Sequence, residues 1–126
     1  MTAYHALIVD DDTMNLEVLG RLLQANGISY SPLSDANKVE ATLQSLPQVD
    51  MIFLDLEMPH RNGYDLLAAL RPLVGTTPII ACSVHTNELD AAYEEGFDAF
   101  IGKPLDPKRF SDQLARLTRG ESVWEV

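Results

Sequence analysis

Cysteine is almost missing from this sequence: Cys82 is the one thiol in 126 residues. A lone cysteine excludes a disulfide framework. Its place in the apolar run Pro78-Ile79-Ile80-Ala81-Cys82 reads as a small buried hydrophobe rather than a nucleophile. That usage suits a reducing cytoplasm. Basic residues are scarce too. Nine Lys and Arg against 19 Asp and Glu give a formal net charge of −10. Such a balance repels nucleic acid and anionic lipid, which argues against direct DNA binding and against a membrane-surface role. No apolar run approaches the roughly 18 residues of a membrane span. The start, Met1-Thr2-Ala3-Tyr4-His5, lacks the basic and long apolar segments of a secretory leader. Linkers, low-complexity tracts and short-period repeats are also missing. No histidine pair has convincing metal spacing, and His5 and His60 read as surface residues.

What is there is an ordinary globular balance, 46% hydrophobic and 22% charged, at a length that suits one domain with a core of its own. Tyr4 to Val9 is a short apolar segment, β-branched toward its end, and reads as a buried strand. Asp10, Asp11 and Asp12 follow it. Leu16, Leu19, Leu22 and Leu23 then recur at helical spacing, with Asp12 as cap at the start and Asn26-Gly27 closing the helix. Ile28 to Leu33 is a weaker strand, interrupted by Pro32. A helix fits Ala36 to Leu46, capped by Ser34 or Asp35. Val49 to Leu54 is the clearest strand and runs into Asp55. After a loop through Pro59 and Gly63, a helix carries Leu66, Leu67 and Leu70, and Arg71-Pro72 and Gly75 are expected to stop it.

Pro78 to Cys82 is a further apolar strand, ending at Ser83. Thr86 or Asn87 is expected to cap a helix that stops at Gly96. Ala99 to Ile101 is a short strand, followed by Lys103-Pro104. Asp106 as cap and Pro107 at the first helical position open a last helix with Phe110, Leu114 and Leu117 on its apolar side. Residues 1–119 therefore form the domain, and 120–126 read as a tail. Alternation of strand and helix predicts a parallel sheet with helices on both faces, linked by right-handed crossovers.

In such a sheet ligands bind beyond the carboxyl ends of the strands. There the sequence delivers Asp10 and Asp11 from the first strand, Asp55 from the third, Ser83 from the fourth and Lys103 after the fifth. Like charges crowded together are costly without a cation. Hard oxygen donors select Mg²⁺ over zinc. A carboxylate beside such an ion can take a phosphoryl group as an acyl phosphate. The metal, the lysine and the hydroxyl then meet the charge on the transferring oxygens.

The strings Leu7-Ile8-Val9-Asp10-Asp11-Asp12, Phe53-Leu54-Asp55-Leu56-Glu57-Met58-Pro59 with Asn62-Gly63, Ile79-Ile80-Ala81-Cys82-Ser83 and Phe100-Ile101-Gly102-Lys103-Pro104 resemble the receiver domains of two-component response regulators. The resemblance runs from about Tyr4 to Leu117. It implies a flavodoxin-like α/β fold, doubly wound, with five parallel strands in the order 2-1-3-4-5; that order is the one already known for such folds. It implies that Asp55 is the phosphoacceptor, served by a histidine kinase or a histidine phosphotransfer protein. It also implies that Asp11 and Asp55 ligate Mg²⁺ with the main-chain carbonyl of Glu57, while Asp10 acts through a metal-bound water. Lys103 would contact the phosphoryl oxygens from a cis Lys103-Pro104 turn. Ser83 would bind the phosphoryl group once it has arrived, and Phe100 would turn inward as the aromatic switch. The face of helix four, strand five and helix five would then meet a downstream protein. Catalysis would be confined to self-phosphorylation and slow self-hydrolysis, so the chain is not expected to be an enzyme in the usual sense.

Some positions depart from the family's habit. Val84 replaces a usual alanine, Phe100 stands where many relatives have tyrosine, and the stretch from Ser83 to Gly96 is short, which predicts a trimmed helix four or loop. Glu57 and His85 could pair across the pocket and slow hydrolysis, or both could simply be solvated. Two other readings stand beside the switch. One is an aspartate-nucleophile phosphatase of the haloacid dehalogenase type, whose acid pair normally follows the first strand rather than the third. The other is a receiver-like interaction module that no longer phosphorylates. With no output domain after the last helix, the chain is expected to be either a stand-alone regulator or a piece of a longer protein.

Overall fold

A computed structural model describes residues 4–126; Met1, Thr2 and Ala3, part of the start read above, lie outside it. Strands β1 (His5–Val9), β2 (Ser29–Leu33), β3 (Met51–Asp55), β4 (Ile79–Ser83), β5 (Ala99–Gly102) and β6 (Trp124–Glu125) alternate with helices α1 (Thr13–Ala25), α2 (Val39–Ser45), α3 (Gly63–Val74), α4 (Leu89–Glu95) and α5 (Pro107–Thr118). They form one sheet in the order β2-β1-β3-β4-β5-β6, and every pairing is parallel. The fold is doubly wound and flavodoxin-like, as expected, with six strands in place of five.

Strand periodicity explains how the two helical layers are held. Successive side chains of a strand point to opposite faces. Ala6 and Ile8 of β1 and Met51 and Phe53 of β3 therefore join one core with Leu19 and Leu23 of α1 and Phe110 and Leu114 of α5. Leu7 and Val9, with Ile52 and Leu54, join the other core with Leu66 and Leu70 of α3 and Ala92 of α4. Burial on both faces is why β3 and β4 are buried at every position, and why these strands are continuous apolar runs rather than alternating ones.

The helix starts follow local chemistry. Asp12 caps α1 through the Met14 N–H, Asn62 caps α3 through Asp65, and Asp106 caps α5 through Arg109 with Pro107 behind it. Asp35 accepts from Asn37 in a 3₁₀ turn, Ala36–Lys38, that leads into α2. The short segment after Ser83 behaves differently from the expectation. A 3₁₀ turn, Thr86–Glu88, precedes a seven-residue α4, and neither Thr86 nor Asn87 is its cap. Helix α3 also passes through Pro72 to Val74 before Gly75 ends it. Pro72 has no N–H for the carbonyl of Ala68, but both residues are exposed, so water can satisfy that oxygen. Pro32 is tolerated because β2 is an edge strand.

The largest difference lies at the far edge. The segment read as a tail turns at Gly120, which has φ +84, and adds β6 alongside β5. Val123 is fully buried, its carbonyl accepts the Phe100 N–H at 2.7 Å, and Glu125 takes hydrogen bonds from Arg109, Gln113 and Arg116 of α5. Among the described residues no helix is long and apolar enough to cross a membrane.

Candidate functional site

The carboxyl ends of β1, β3 and β4 and the turn after β5 meet at one rim of the sheet. Asp10, Asp55 and Ser83 are buried there, and the side chain of Lys103 is 15% exposed. The oxygens of Asp10, Asp11 and Asp55 come within 4.8 Å of one another, with Asp11 on the solvent side. Lys103 Nζ donates to Asp10 Oδ2 at 3.0 Å and lies 3.6 Å from Asp55 Oδ1. The Lys103-Pro104 bond is cis. Main-chain amides hold the acids in place: Asp12 N–H donates to Asp10 Oδ1 at 2.9 Å, and Glu57 N–H donates to Asp55 Oδ1 at 3.1 Å.

The close approach of Gly63 to this rim has a steric origin. A Cβ built there would stand 2.9 Å from the main-chain oxygen of Asp55 and 2.8 Å from the Leu56 side chain. The first turn of α3 therefore packs directly beneath the end of β3.

Three carboxylates and one ammonium leave the rim with excess negative charge. Two like charges about 4 Å apart repel by about 4 kcal/mol at an effective dielectric near 20; three carboxylates make three such pairs, and Lys103 lies close to only two of them, Asp10 and Asp55. The imbalance shows in Asp55. Burial pushes its carboxyl up to about 7, and Asp10 pushes the same way, while Lys103 and the Glu57 amide pull it down. Burial opposes the charge of Lys103, but Asp55 and Asp10 hold its pKa above the ordinary lysine value. All-oxygen donors with surplus negative charge fit a hard divalent ion. A cleft of about 470 Å³ opens beside Asp55, and its lining includes Asp10 and Lys103 together with the apolar Val18, Leu19 and Leu105.

Glu57 and Ser83 belong to an adjoining group. The Ser83 hydroxyl donates to Glu57 Oε1 at 2.8 Å, lies 3.4 Å from Glu88 Oε2, and accepts the His85 N–H at 2.9 Å. Burial works against the charge on Glu57, but hydrogen bonds from Glu88 and Ser83 hold its carboxyl below the usual range. The same Glu57 contact, together with burial, raises Glu88. Tyr64 O–H reaches Glu88 at 3.4 Å, and burial and that acid push the phenol up to about 12.

Of the two readings left open for Glu57 and His85, a pair across the pocket or two solvated side chains, the hydrogen-bonded pair is not formed, and both residues are exposed. The ring of His85 acts on Glu57 through charge alone, because the carboxylate has nearer partners in Ser83 and Glu88. Nor does the Glu57 side chain join the three clustered aspartates, which leaves its main chain as the group that could serve a metal. Sequence reading passed over Glu88 and Tyr64. Their only signal was an acid in the short turn after Ser83, and nothing local to either residue shows that α3 faces that turn.

Phe100 is fully buried, in the core that Trp124 partly covers. Cys82 is buried and its thiol is pushed up to about 12 by burial, so it is a hydrophobe, as expected.

Residues 6–115 match the response regulator receiver domain family. The chain is 36% identical over 115 residues to stress response regulator protein 1 of Meyerozyma guilliermondii, covering 84% of this chain and 51% of that protein. It is 32% identical over 118 residues to the DNA-binding response regulator MtrA of Mycolicibacterium smegmatis, covering 91% of this chain and 51% of that one. It therefore spans about half the length of these curated relatives. Among solved structures, the chemotaxis protein CheY4 of Vibrio cholerae superposes with a TM-score of 0.83 at 24% identity, covering 91% of this chain and 98% of that one. That likeness shows the fold, and the family match shows the relationship. With the acidic rim, the lysine and the buried hydroxyl all at the carboxyl edge of a doubly wound sheet, this chain belongs to the response regulator receiver domain family of two-component signalling.

Proposed function

We propose that this chain is a phosphorylation-dependent switch that accepts a phosphoryl group on Asp55 from a histidine kinase or a histidine phosphotransfer protein. The observation that carries this is the meeting of Asp10, Asp11, Asp55 and Lys103 at one rim of the sheet, with Asp10 and Asp55 buried. Asp11 and Asp55, with the main-chain carbonyl of Glu57, are the groups that would hold Mg²⁺, and Asp10 would reach it through water. When bound, the ion would supply charge neutralisation at the attacking carboxylate and at the phosphoryl oxygens.

The chain's own residues do the rest. Asp55 is held in line by the Glu57 amide, and one of its oxygens forms the bond to phosphorus as the bond to the donor's imidazole nitrogen breaks. Lys103 stands where it can release Asp10 and meet the incoming oxygens. Ser83 then donates its hydroxyl to the phosphoryl group, favouring one of two packings of the rim. Phe100 starts from a buried position, so its part in the switch is a repacking against β6 rather than a swing in from solvent. The output passes to a downstream protein at the face of α4, β5 and α5. The switch unit is residues 1–119, with 120–126 attached to its output edge. Self-phosphorylation and slow self-hydrolysis are the only turnover proposed, and a cytoplasmic setting suits the phosphodonors.

Incubation with acetyl phosphate and Mg²⁺, followed by intact-mass and peptide mapping, tests the reading. The expected result is one added phosphoryl group, on Asp55, absent in Asp55→Asn and without Mg²⁺. A chain that gains no mass, or gains it elsewhere, would refute it.

A further inference from the structure

The hydroxyl of Ser83 has one hydrogen to give. It is given to Glu57 Oε1 at 2.8 Å, a charge-assisted bond, while the oxygen accepts from the His85 amide at 2.9 Å. Ser83 is fully buried at the end of β4, whereas Glu57 comes from the loop after β3. Glu88, from the turn before α4, and Tyr64, from α3, stand behind the pair. The switch proposed above needs the same hydrogen for a phosphoryl oxygen on Asp55. One hydroxyl cannot serve both acceptors.

We propose that Glu57 is a positioning residue that latches the Ser83 hydroxyl away from Asp55 in the unphosphorylated chain, so that switching requires the Ser83–Glu57 bond to break. The inference rests on the phosphoacceptor reading and adds a resting-state restraint to it. Through the His85 amide, release of the latch also frees the first residues of the turn leading to α4. The device thereby joins the phosphorylation rim to the proposed output face through one hydrogen bond on each side of Ser83.

The test is equilibrium binding of beryllofluoride, a phosphoryl mimic, with saturating Mg²⁺, to wild type, Glu57→Ala, Ser83→Ala and the double variant. Loss of a bond to a charged acceptor predicts roughly tenfold tighter binding in Glu57→Ala. In the Ser83→Ala background the same change should do nothing, because the latch has no hydroxyl to hold. An equal gain in both backgrounds would mean that Glu57 acts through its charge on the metal site and would overturn the proposal, as would no gain in either. Glu57→Gln is a second variant at this exposed position; its carbonyl still accepts, so it should fall between wild type and Glu57→Ala. The His85 amide resonance should move in Glu57→Ala and not in Ser83→Ala/Glu57→Ala relative to Ser83→Ala. Wild type that is phosphorylated on Asp55 but shows no such cycle refutes the latch alone. Wild type that neither binds the mimic nor gains phosphate refutes the underlying reading too.

Discussion

At Asp55 the demands of reactivity and of stability oppose each other. Its carboxyl is pushed up to about 7 when folded, chiefly by burial, and an unfolded aspartate titrates near 4. The folded state therefore holds a proton that the unfolded state has lost. Stability falls as pH rises from about 4 towards about 7. Without Mg²⁺, Asp55→Asn should be more stable than wild type at pH 7.5 by roughly 1 kcal/mol, about 4 °C in Tm. The gap should close as pH falls towards about 4, as thermal melts across pH would show. Excess Mg²⁺ should raise the wild-type Tm by mass action and should raise that of Asp55→Asn less. Lys103 is the one cation paired with the buried aspartates of the rim among the described residues. Replacing it with Met should slow phosphorylation by acetyl phosphate roughly 100-fold, the usual cost of removing a preorganised charge-stabilising group. A fall in Mg²⁺ affinity of the same size would instead place Lys103 in metal binding.

Between residues and the whole fold, the junctions of strands and helices set the geometry of the rim. Gly63 has no left-handed backbone to justify it; its constraint is the main-chain oxygen of Asp55, 2.9 Å from a built Cβ. Gly63→Ala should force β3 and α3 apart, destabilise by about 1–3 kcal/mol and slow phosphorylation. Denaturant unfolding together with phosphorylation rates would reveal both effects. A loss of rate without loss of stability would assign Gly63 a different role. These junctions also mark what was legible beforehand. The buried strands were plain because a parallel sheet hides both of their faces, and the caps Asp12 and Asp106 were plain because they act within three residues of themselves. Arg71-Pro72 and Gly75 were expected to stop α3, and only Gly75 does, since a proline's cost depends on whether water reaches the carbonyl it strands, and that is a property of exposure rather than of local sequence. Glu88 and Tyr64 were missed for the same reason. Their meeting needs α3, β4 and the turn after Ser83 to be packed together first.

For the molecule as a whole, β6 alters how the rim is connected to the surface. The sheet edge at β5 is covered by the chain itself, with Trp124 against Tyr93 at 5.0 Å between ring centres and Glu125 held by α5. Phe100 stands opposite Trp124 of this strand, and its N–H donates to the carbonyl of Val123 just before it. Trp124 is the one tryptophan, so its emission should report on phosphorylation if β5 repacks. Acetyl phosphate with Mg²⁺ should change its intensity or wavelength in wild type and not in Asp55→Asn. Glu125→Ala should red-shift the resting emission by loosening β6, while Asp55 still accepts phosphate. An unchanged spectrum in both experiments would uncouple β6 from the switch. The net charge is −10 in all, a sign that repels a phosphate backbone, while the relatives that it matches over half their length include a DNA-binding regulator.

By itself the sequence determined the alternation of strand and helix, the two-sided burial of the central strands and the set of polar residues at their carboxyl ends. These follow from periodicity, capping and strand direction, which act over a few residues. Only the tertiary structure decided which carboxylates crowd one another, which acceptor receives the Ser83 hydrogen, and that the last residues add a strand over Phe100. Those outcomes depend on distances between segments far apart in the chain, and no local pattern encodes them.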